Sequence, residues 1–147
     1  RASQAGVPIT LVVRGICCLV AGLPGVSETV TVYSVVGQLL EHSRIFRFEN
    51  GGSPRLYLGS ADWMQRNLDR RVELVFPVED EGIVRRVEEV ISLTTEDTVN
   101  ARVQLPDGSY ELQDRRGRPV LNCQTELAAR ARRALQQKEK NINEGLI

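Results

Sequence analysis

The chain has 147 residues, of which 41% are apolar and 26% charged, a composition typical of a soluble globular domain with one core. Its 19 basic and 19 acidic residues cancel, so it lacks the overall positive charge of a nucleic-acid-binding protein, and no apolar run approaches the roughly 20 residues that cross a bilayer. Three cysteines and one histidine argue against both a disulfide framework and a zinc site.

The N-terminal residues and the cysteines give expectations about the whole protein. The chain starts with Arg1 and not with Met, so we expect it to be a segment of something longer. The N-terminal residues do not show the order of charged, apolar and small residues that is typical of a signal peptide. Because Cys17 and Cys18 are adjacent and the total is odd, we expect reduced thiols in a cytoplasmic protein.

The first half of the chain is predicted to be rich in strands. Arg14 is a charge inside the first apolar run, and such a charge usually has a partner or a ligand. A short helix is predicted over residues 63–68, with Asp62 or Ser60 as its cap. Residues 36–41 favour one or two helical turns. Apolar runs and β-branched alternation predict strands over residues 9–16, 29–35, 44–48, 54–58 and 72–78, with a turn at 50–52.

The second half changes in character. Apolar residues at helical spacing predict a helix over residues 82–93, and Pro106-Asp-Gly-Ser109 predicts a hairpin between 102–105 and 110–113. A second helix is predicted over 125–137, and residues 141–147 are expected to fray. The apolar side of this second helix is expected to pack onto the domain. A helix that lies on a membrane surface is the alternative. The sequence therefore predicts an α/β fold: a mixed β-sheet with flanking helices and a C-terminal helical extension.

The single histidine, His42, is the first candidate for chemistry. A lone histidine is more often a surface or core residue than a catalytic one. However, Arg44 follows at i+2 on a predicted strand, where i and i+2 project from the same face. An imidazole and a guanidinium side by side can address one phosphoryl group, and histidine exchanges protons near neutral pH.

Two further segments have both an ordinary and a functional interpretation. Gly59-Ser60 between a strand and a helix is compatible with simple turn chemistry, or with an anion bound by Ser60 at a helix N-terminus. Glu73 lies in a charged segment but opens an apolar run. Its carboxylate is expected to turn partly inward and to seek a cationic or N–H partner, such as a histidine ring.

These motifs together resemble a known family. The stretches Leu11-Val-Val-Arg-Gly-Ile-Cys-Cys18, Gly37 to Ile45 and Gly59 to Glu73 are similar to parts of the last domain of the polyphosphate kinases, and more distantly to a half-site of the phospholipase D superfamily. The likeness covers most of residues 5–78 in the same order and is only general beyond. The resemblance implies a single C-terminal catalytic domain over 1–147, with a phospholipase-D-like half-site in 5–78 and a helix and hairpin remainder in 79–147.

The resemblance also implies a reaction and roles for the candidate residues. The family transfers the terminal phosphate of ATP reversibly onto polyphosphate, with Mg²⁺, through a phosphohistidine in the preceding domain. His42 matches the second histidine, which donates a proton or stabilises the phosphate, and Glu73 matches a carboxylate that orients it. The implied phosphate contacts are Arg14, Arg44, Ser60 and Asp62, and the metal ligands are expected outside this segment.

The resemblance further implies the partners. These are the remaining domains of the enzyme, ATP and ADP, polyphosphate and a second copy of the chain, with no nucleic acid and no transmembrane segment. Two alternatives stay open. One is a phosphodiesterase of the phospholipase D superfamily, although Arg44 stands where such enzymes have lysine. The other is a non-catalytic module that binds polyphosphate or mediates assembly.

Overall fold

The structure is a computed structural model that describes residues 1–144. It divides into two compact units: the first comprises Arg1–Glu41 and the residues from Ser92 onward, and the second is His42–Ile91. The predicted internal boundary at residue 78 falls inside the second unit. The regular elements in chain order are β1 (Ile9–Val12), β2 (Val30–Val35), β3 (Ile45–Phe48), β4 (Arg55–Gly59), α1 (Gln65–Arg70), β5 (Val75–Pro77), α2 (Glu81–Glu96), β6 (Ala101–Gln104), β7 (Tyr110–Leu112) and α3 (Cys123–Asn143).

The first unit contains a four-stranded mixed sheet with the order β1-β2-β6-β7. Strand β1 runs parallel to β2, while β6 is antiparallel to β2 and forms a hairpin with β7. The β-branched alternation of β2 fits its central position, since its burial alternates along the strand and Val32 is fully buried. The predicted mixed sheet with flanking helices is confirmed.

Two small apolar clusters form the core of the first unit. One joins Val35, Leu93, Ala101 and Cys123 from β2, α2, β6 and α3. The other surrounds Val32 on β2, with buried neighbours Ala21 and Val30 and partly buried side chains from β1 and β7. Both clusters use residues from before position 42 and after position 91, which explains why these distant stretches form one unit.

The second unit contains an antiparallel sheet with the order β3-β4-β5. Ile45 lies opposite Leu58, which in turn lies opposite Phe76, so these three side chains share one face of the sheet. On the other face, Phe46 stacks on Trp63 with ring centroids 5.7 Å apart. Gly59 belongs to that face, and a Cβ atom there would come within 3.2 Å of the Phe46 ring and of the Leu74 carbonyl oxygen.

Several predicted elements need correction. Residues 36–41 form no helical turn, because the backbone there is held in bends by side chains from elsewhere in the first unit. Helix α1 begins at Gln65, and its N-cap residue Met64 makes no side-chain cap, so the prediction of Asp62 or Ser60 as the cap was wrong. Helix α3 continues to Asn143, well past the predicted end, and residues 145–147 of the predicted frayed end lie outside the described part.

The strands occur where they were predicted; most are shorter, and β4 and β6 are shifted by one residue. Strand β1 stops at Val12, before Arg14 and Gly15, and β5 covers only the middle of the predicted 72–78. Within residues 1–144, no helix is both long enough and apolar enough to cross a membrane.

Candidate active site

His42 and Arg44 lie just before β3, and the prediction that their side chains meet is confirmed, although neither residue is part of the strand. The guanidinium of Arg44 lies against the imidazole, with Nη1 2.6 Å from Nδ1 and Nη2 2.9 Å from Nε2. Nη1 also donates to the carbonyl oxygen of His42 at 3.0 Å. A neutral imidazole has only one accepting nitrogen. Therefore only one of the two ring contacts is a hydrogen bond, whichever tautomer is present.

Asp62 fixes the other side of the same guanidinium. Nε of Arg44 donates to Oδ1 and Nη2 donates to Oδ2, each at 3.1 Å, in the two-pronged geometry that arginine forms with carboxylates. The Arg44 and Asp62 side chains are only 16% and 28% exposed, so water screens this ion pair less than it screens a surface pair. In the described residues, Asp62 thus contacts Arg44, where the sequence predicted a phosphate contact.

Asn67 supports Asp62 from α1. It is 2% exposed, and its Nδ2 donates to the carbonyl oxygen of Asp62 at 3.3 Å. Its Oδ1 is buried without a hydrogen-bond partner in the described residues. Sequence reasoning missed Asn67, because an asparagine in a charged helix gives no local sign of burial.

Glu73 and Ser60 form a separate pair. The Ser60 hydroxyl donates to Oε2 of Glu73 and accepts from the backbone N–H of Leu74 at 3.0 Å. Glu73 is half-buried, as predicted, but its hydrogen-bond partner is Ser60 and not His42. The expected contact between this carboxylate and the imidazole is therefore not made, since Arg44 contacts both ring nitrogens.

Arg14 belongs to the first unit. Its Nη1 donates to the carbonyl oxygen of Glu41 at 2.8 Å, and its side chain is half-buried, so this charge has a backbone partner as the sequence led us to expect. Glu41 immediately precedes His42 in the sequence. A contact between Arg14 and phosphate stays a prediction.

Gln124, at the start of α3, is a further residue that the sequence did not indicate. Its amide accepts from the backbone N–H of Leu39 at 3.0 Å and donates to the Leu39 carbonyl oxygen at 2.8 Å. The same Nε2 lies 2.5 Å from the Glu41 carboxylate. Because 85 residues separate Leu39 from Gln124, no local pattern could reveal this contact.

A cleft of about 460 Å³ opens beside His42 in the second unit. Its size falls within the range of small-ligand sites. One wall consists of apolar side chains on β3, β4, β5 and α2, and the other consists of the His42 and Arg44 region. The lining residues are His42, Ser43, Arg44, Ile45, Leu58, Gly59, Phe76, Val87 and Val90.

Metal ligands are not brought together in residues 1–144. No group of three or more His, Cys, Asp or Glu side chains in this part could hold a metal ion. Asp62 and Glu73, the carboxylates of the candidate site, are engaged by Arg44 and Ser60 respectively. The described residues therefore show no cluster of metal ligands at this site.

Comparison with known proteins identifies the family. Residues 1–124 match the family described as polyphosphate kinase C-terminal domain 2. The chain belongs to this family. The match extends well past Val78, beyond which the resemblance of the sequence motifs was only general.

Individual relatives agree with this assignment. The chain is 56% identical over 124 residues to polyphosphate kinase 1 of Chlorobaculum tepidum, covering 84% of the chain and 18% of that protein. It is 47% identical over 135 residues to polyphosphate kinase of Lactiplantibacillus plantarum, covering 92% of the chain and 19% of that protein. The crystal structure of polyphosphate kinase from Porphyromonas gingivalis superposes with a TM-score of 0.84 at 36% identity, covering 95% of the chain and 21% of that structure. The chain thus spans about a fifth of the length of the relatives it matches.

Proposed function

We propose that this domain supplies the acid–base half of an active site that transfers the terminal phosphate of ATP reversibly to inorganic polyphosphate. The observation that carries the proposal is the sole histidine of a polyphosphate kinase domain, held by an arginine at the edge of a ligand-sized cleft. Phosphoryl transfer depends mostly on positioning and charge stabilisation. An imidazole that is fixed beside a guanidinium meets both needs.

The proposed reaction has two steps. A histidine elsewhere in the longer enzyme attacks the γ-phosphorus of ATP, a P–N bond forms, and the bond to the β–γ bridging oxygen breaks with its electron pair on ADP. His42 gives a proton to that departing oxygen. In the second step, a terminal oxygen of polyphosphate gives its proton to His42 and attacks the phosphohistidine, the P–N bond breaks with its electron pair on the nucleophilic histidine, and the chain is one phosphate longer. The attacking histidine must come from another part, because His42 is the only histidine in this chain.

The other candidate residues take supporting roles. We propose that Arg14 and Ser60 contact phosphate, with Glu73 bonded to the Ser60 hydroxyl. The proposed partners are the remaining domains of the enzyme and a second copy of the chain. The proposed substrates are ATP, ADP and polyphosphate. Any Mg²⁺ would accompany the nucleotide or bind outside this domain, and the enzyme would act in the cytoplasm.

Two assays test the proposal. A longer protein that contains this domain should lengthen polyphosphate when it is supplied with ATP. Hydrolysis of a model phosphodiester without ATP-dependent polymer formation would instead indicate a phospholipase-D-like esterase. The 147-residue chain, incubated with γ-labelled ATP, should acquire no acid-labile label. Acid-labile labelling of this chain would contradict the assignment of the nucleophile to another domain.

A further inference from the structure

The Arg44 guanidinium is fully oriented before any substrate arrives. Two parallel bonds to Asp62, each 3.1 Å, fix its plane, and Asn67 holds the Asp62 backbone in turn. The remaining N–H groups face the His42 ring and the His42 carbonyl oxygen. This arrangement forms a chain of contacts from α1 through Asp62 and Arg44 to the imidazole.

We infer that Asp62 and Arg44 are positioning residues that act through His42, an inference that rests on the proposed function of this site. Asp62 fixes the guanidinium, and the guanidinium, which lies 2.6 Å from Nδ1 and 2.9 Å from Nε2, fixes the rotation of the ring.

This role differs from a direct phosphate contact. The sequence predicted that both Arg44 and Asp62 would bind phosphate and that Glu73 would orient the histidine. In the structure, Asp62 is the carboxylate that binds Arg44, the partner of His42, while Glu73 is bonded to Ser60. An arginine thus stands between carboxylate and imidazole, where hydrolytic triads place the carboxylate directly on the ring.

The single histidine makes a direct measurement possible. Only one imidazole contributes signals in an NMR spectrum of the 147-residue chain. We expect a ring order parameter typical of a rigid group in the unaltered chain. In Asp62→Asn, which keeps the size of the side chain and removes its charge, the order parameter should fall below about 0.6, the range of flexible groups.

A matched control is provided by β3, the strand that follows Arg44. Arg47 lies on β3 and pairs with both Glu49 and Glu88 at 2.8 Å, so Glu88→Gln removes one carboxylate from an arginine of the same unit without touching His42. The ring order parameter should be unchanged in this variant. Should Asp62→Asn fail to fold, Arg44→Lys replaces it, because lysine keeps the charge but cannot form the two-pronged contact. A ring as ordered in either folded variant as in the unaltered chain would overturn the inference.

Kinetics of the longer enzyme separate positioning from substrate binding. A positioning role predicts that Asp62→Asn lowers kcat about tenfold or more while KM for ATP stays nearly constant, since the lost interaction matters in the transition state. Partial recovery is expected in Asp62→Glu. A raised KM with unchanged kcat would assign the pair to phosphate binding instead. The NMR result does not depend on activity, so it stands even if the proposed reaction is wrong.

Discussion

Gln124 lies directly against Gly37, so closely that a Cβ atom on Gly37 would stand 2.3 Å from its side-chain oxygen. The absence of a side chain at Gly37 lets the Gln124 amide hydrogen-bond both the N–H and the carbonyl oxygen of Leu39. Within the first unit, the start of α3 therefore fixes residues 37–41. This segment leads directly to His42 in the sequence.

This contact predicts a strong coupling between two substitutions. Gln124→Ala should lower the free energy of unfolding by about 2 kcal/mol, because it removes hydrogen bonds to half-buried backbone groups. Gly37→Ala should destabilise the chain by displacing the Gln124 side chain. In the Gln124→Ala background, Gly37→Ala should have almost no effect, since nothing remains to be displaced. Urea unfolding of the four proteins measures the coupling, and simple additivity would contradict this account.

Asp97 should be the most important buried carboxylate for stability. It is fully buried, and its Oδ1 accepts from the backbone N–H groups of Val99, Asn100 and Ala101 at 2.6 to 3.1 Å. Its Oδ2 accepts from the N–H of Cys123 at 2.8 Å, which joins the start of β6 to the start of α3. Asp97→Ala should cost about 3 kcal/mol or more, because several buried donors lose their partner.

The pH dependence of this contribution has a definite sign. Burial raises the pKa of Asp97, but the backbone hydrogen bonds from Asn100, Cys123 and Val99 outweigh burial and lower it overall. A lowered pKa stabilises the fold above the unfolded value of about 3.9, and that stability is lost as the pH falls through the folded pKa. Below about pH 4, the free energy of unfolding should fall less steeply with decreasing pH in Asp97→Asn than in the unaltered chain. An equal slope would contradict this role. Asp69→Asn, at an exposed position of α1, is the control.

Cys123 should be protected from alkylation and should make the fold sensitive to alkali. Burial and the neighbouring Asp97 raise the pKa of this thiol to about 12. The resulting stability is fully present below the unfolded pKa of about 8.5 and is lost as the pH rises toward about 12. The free energy of unfolding should therefore fall less between about pH 8 and about pH 10.5 in Cys123→Ala.

Thiol labelling checks the same assignment. In the folded chain, Cys18 is exposed and Cys17 is half-buried, whereas Cys123 is buried. Cys18 should react first with a thiol reagent, and Cys123 only after unfolding. Fast modification of Cys123 in the native chain would contradict its placement in the core.

Arg14 should contribute charge to the reaction. Arg14→Ala in the longer enzyme should lower turnover by on the order of 100-fold, as the loss of a charge-stabilising group commonly does. Because Arg14 also bonds the Glu41 carbonyl oxygen, the unfolding midpoint must be measured in parallel. Near-normal turnover in a stable Arg14→Ala variant would remove this residue from the proposed site.

Local patterns predicted the elements but not the long-range contacts. The β-branched alternation of residues 29–35 and the helical spacing of 82–93 placed β2 and α2 correctly, since these periodicities follow from which face is buried. The His42 and Arg44 side chains meet as predicted, but both residues precede β3, so the strand geometry assumed for them was wrong. Each of these signals lies within a few residues of sequence.

The errors have a common physical cause. Asp62 was expected to cap a helix, but Arg44, 18 residues earlier in the chain, binds its carboxylate. Glu73 was expected to bind the imidazole of the histidine, but its hydrogen-bond partner is the Ser60 hydroxyl. Gln124 and Asp97 gave no signal at all, because the backbone groups that they bind are brought to them only by the tertiary fold.

The proton-donating role of His42 is tested most directly by the turnover of a polyphosphate kinase that carries this domain with His42→Ala. We predict that kcat falls by on the order of 100-fold or more, with the unfolding midpoint unchanged because the side chain is exposed. Glu88→Gln, which alters an ion pair of the same unit away from the histidine, should retain normal turnover. Near-normal kcat in His42→Ala would contradict the account.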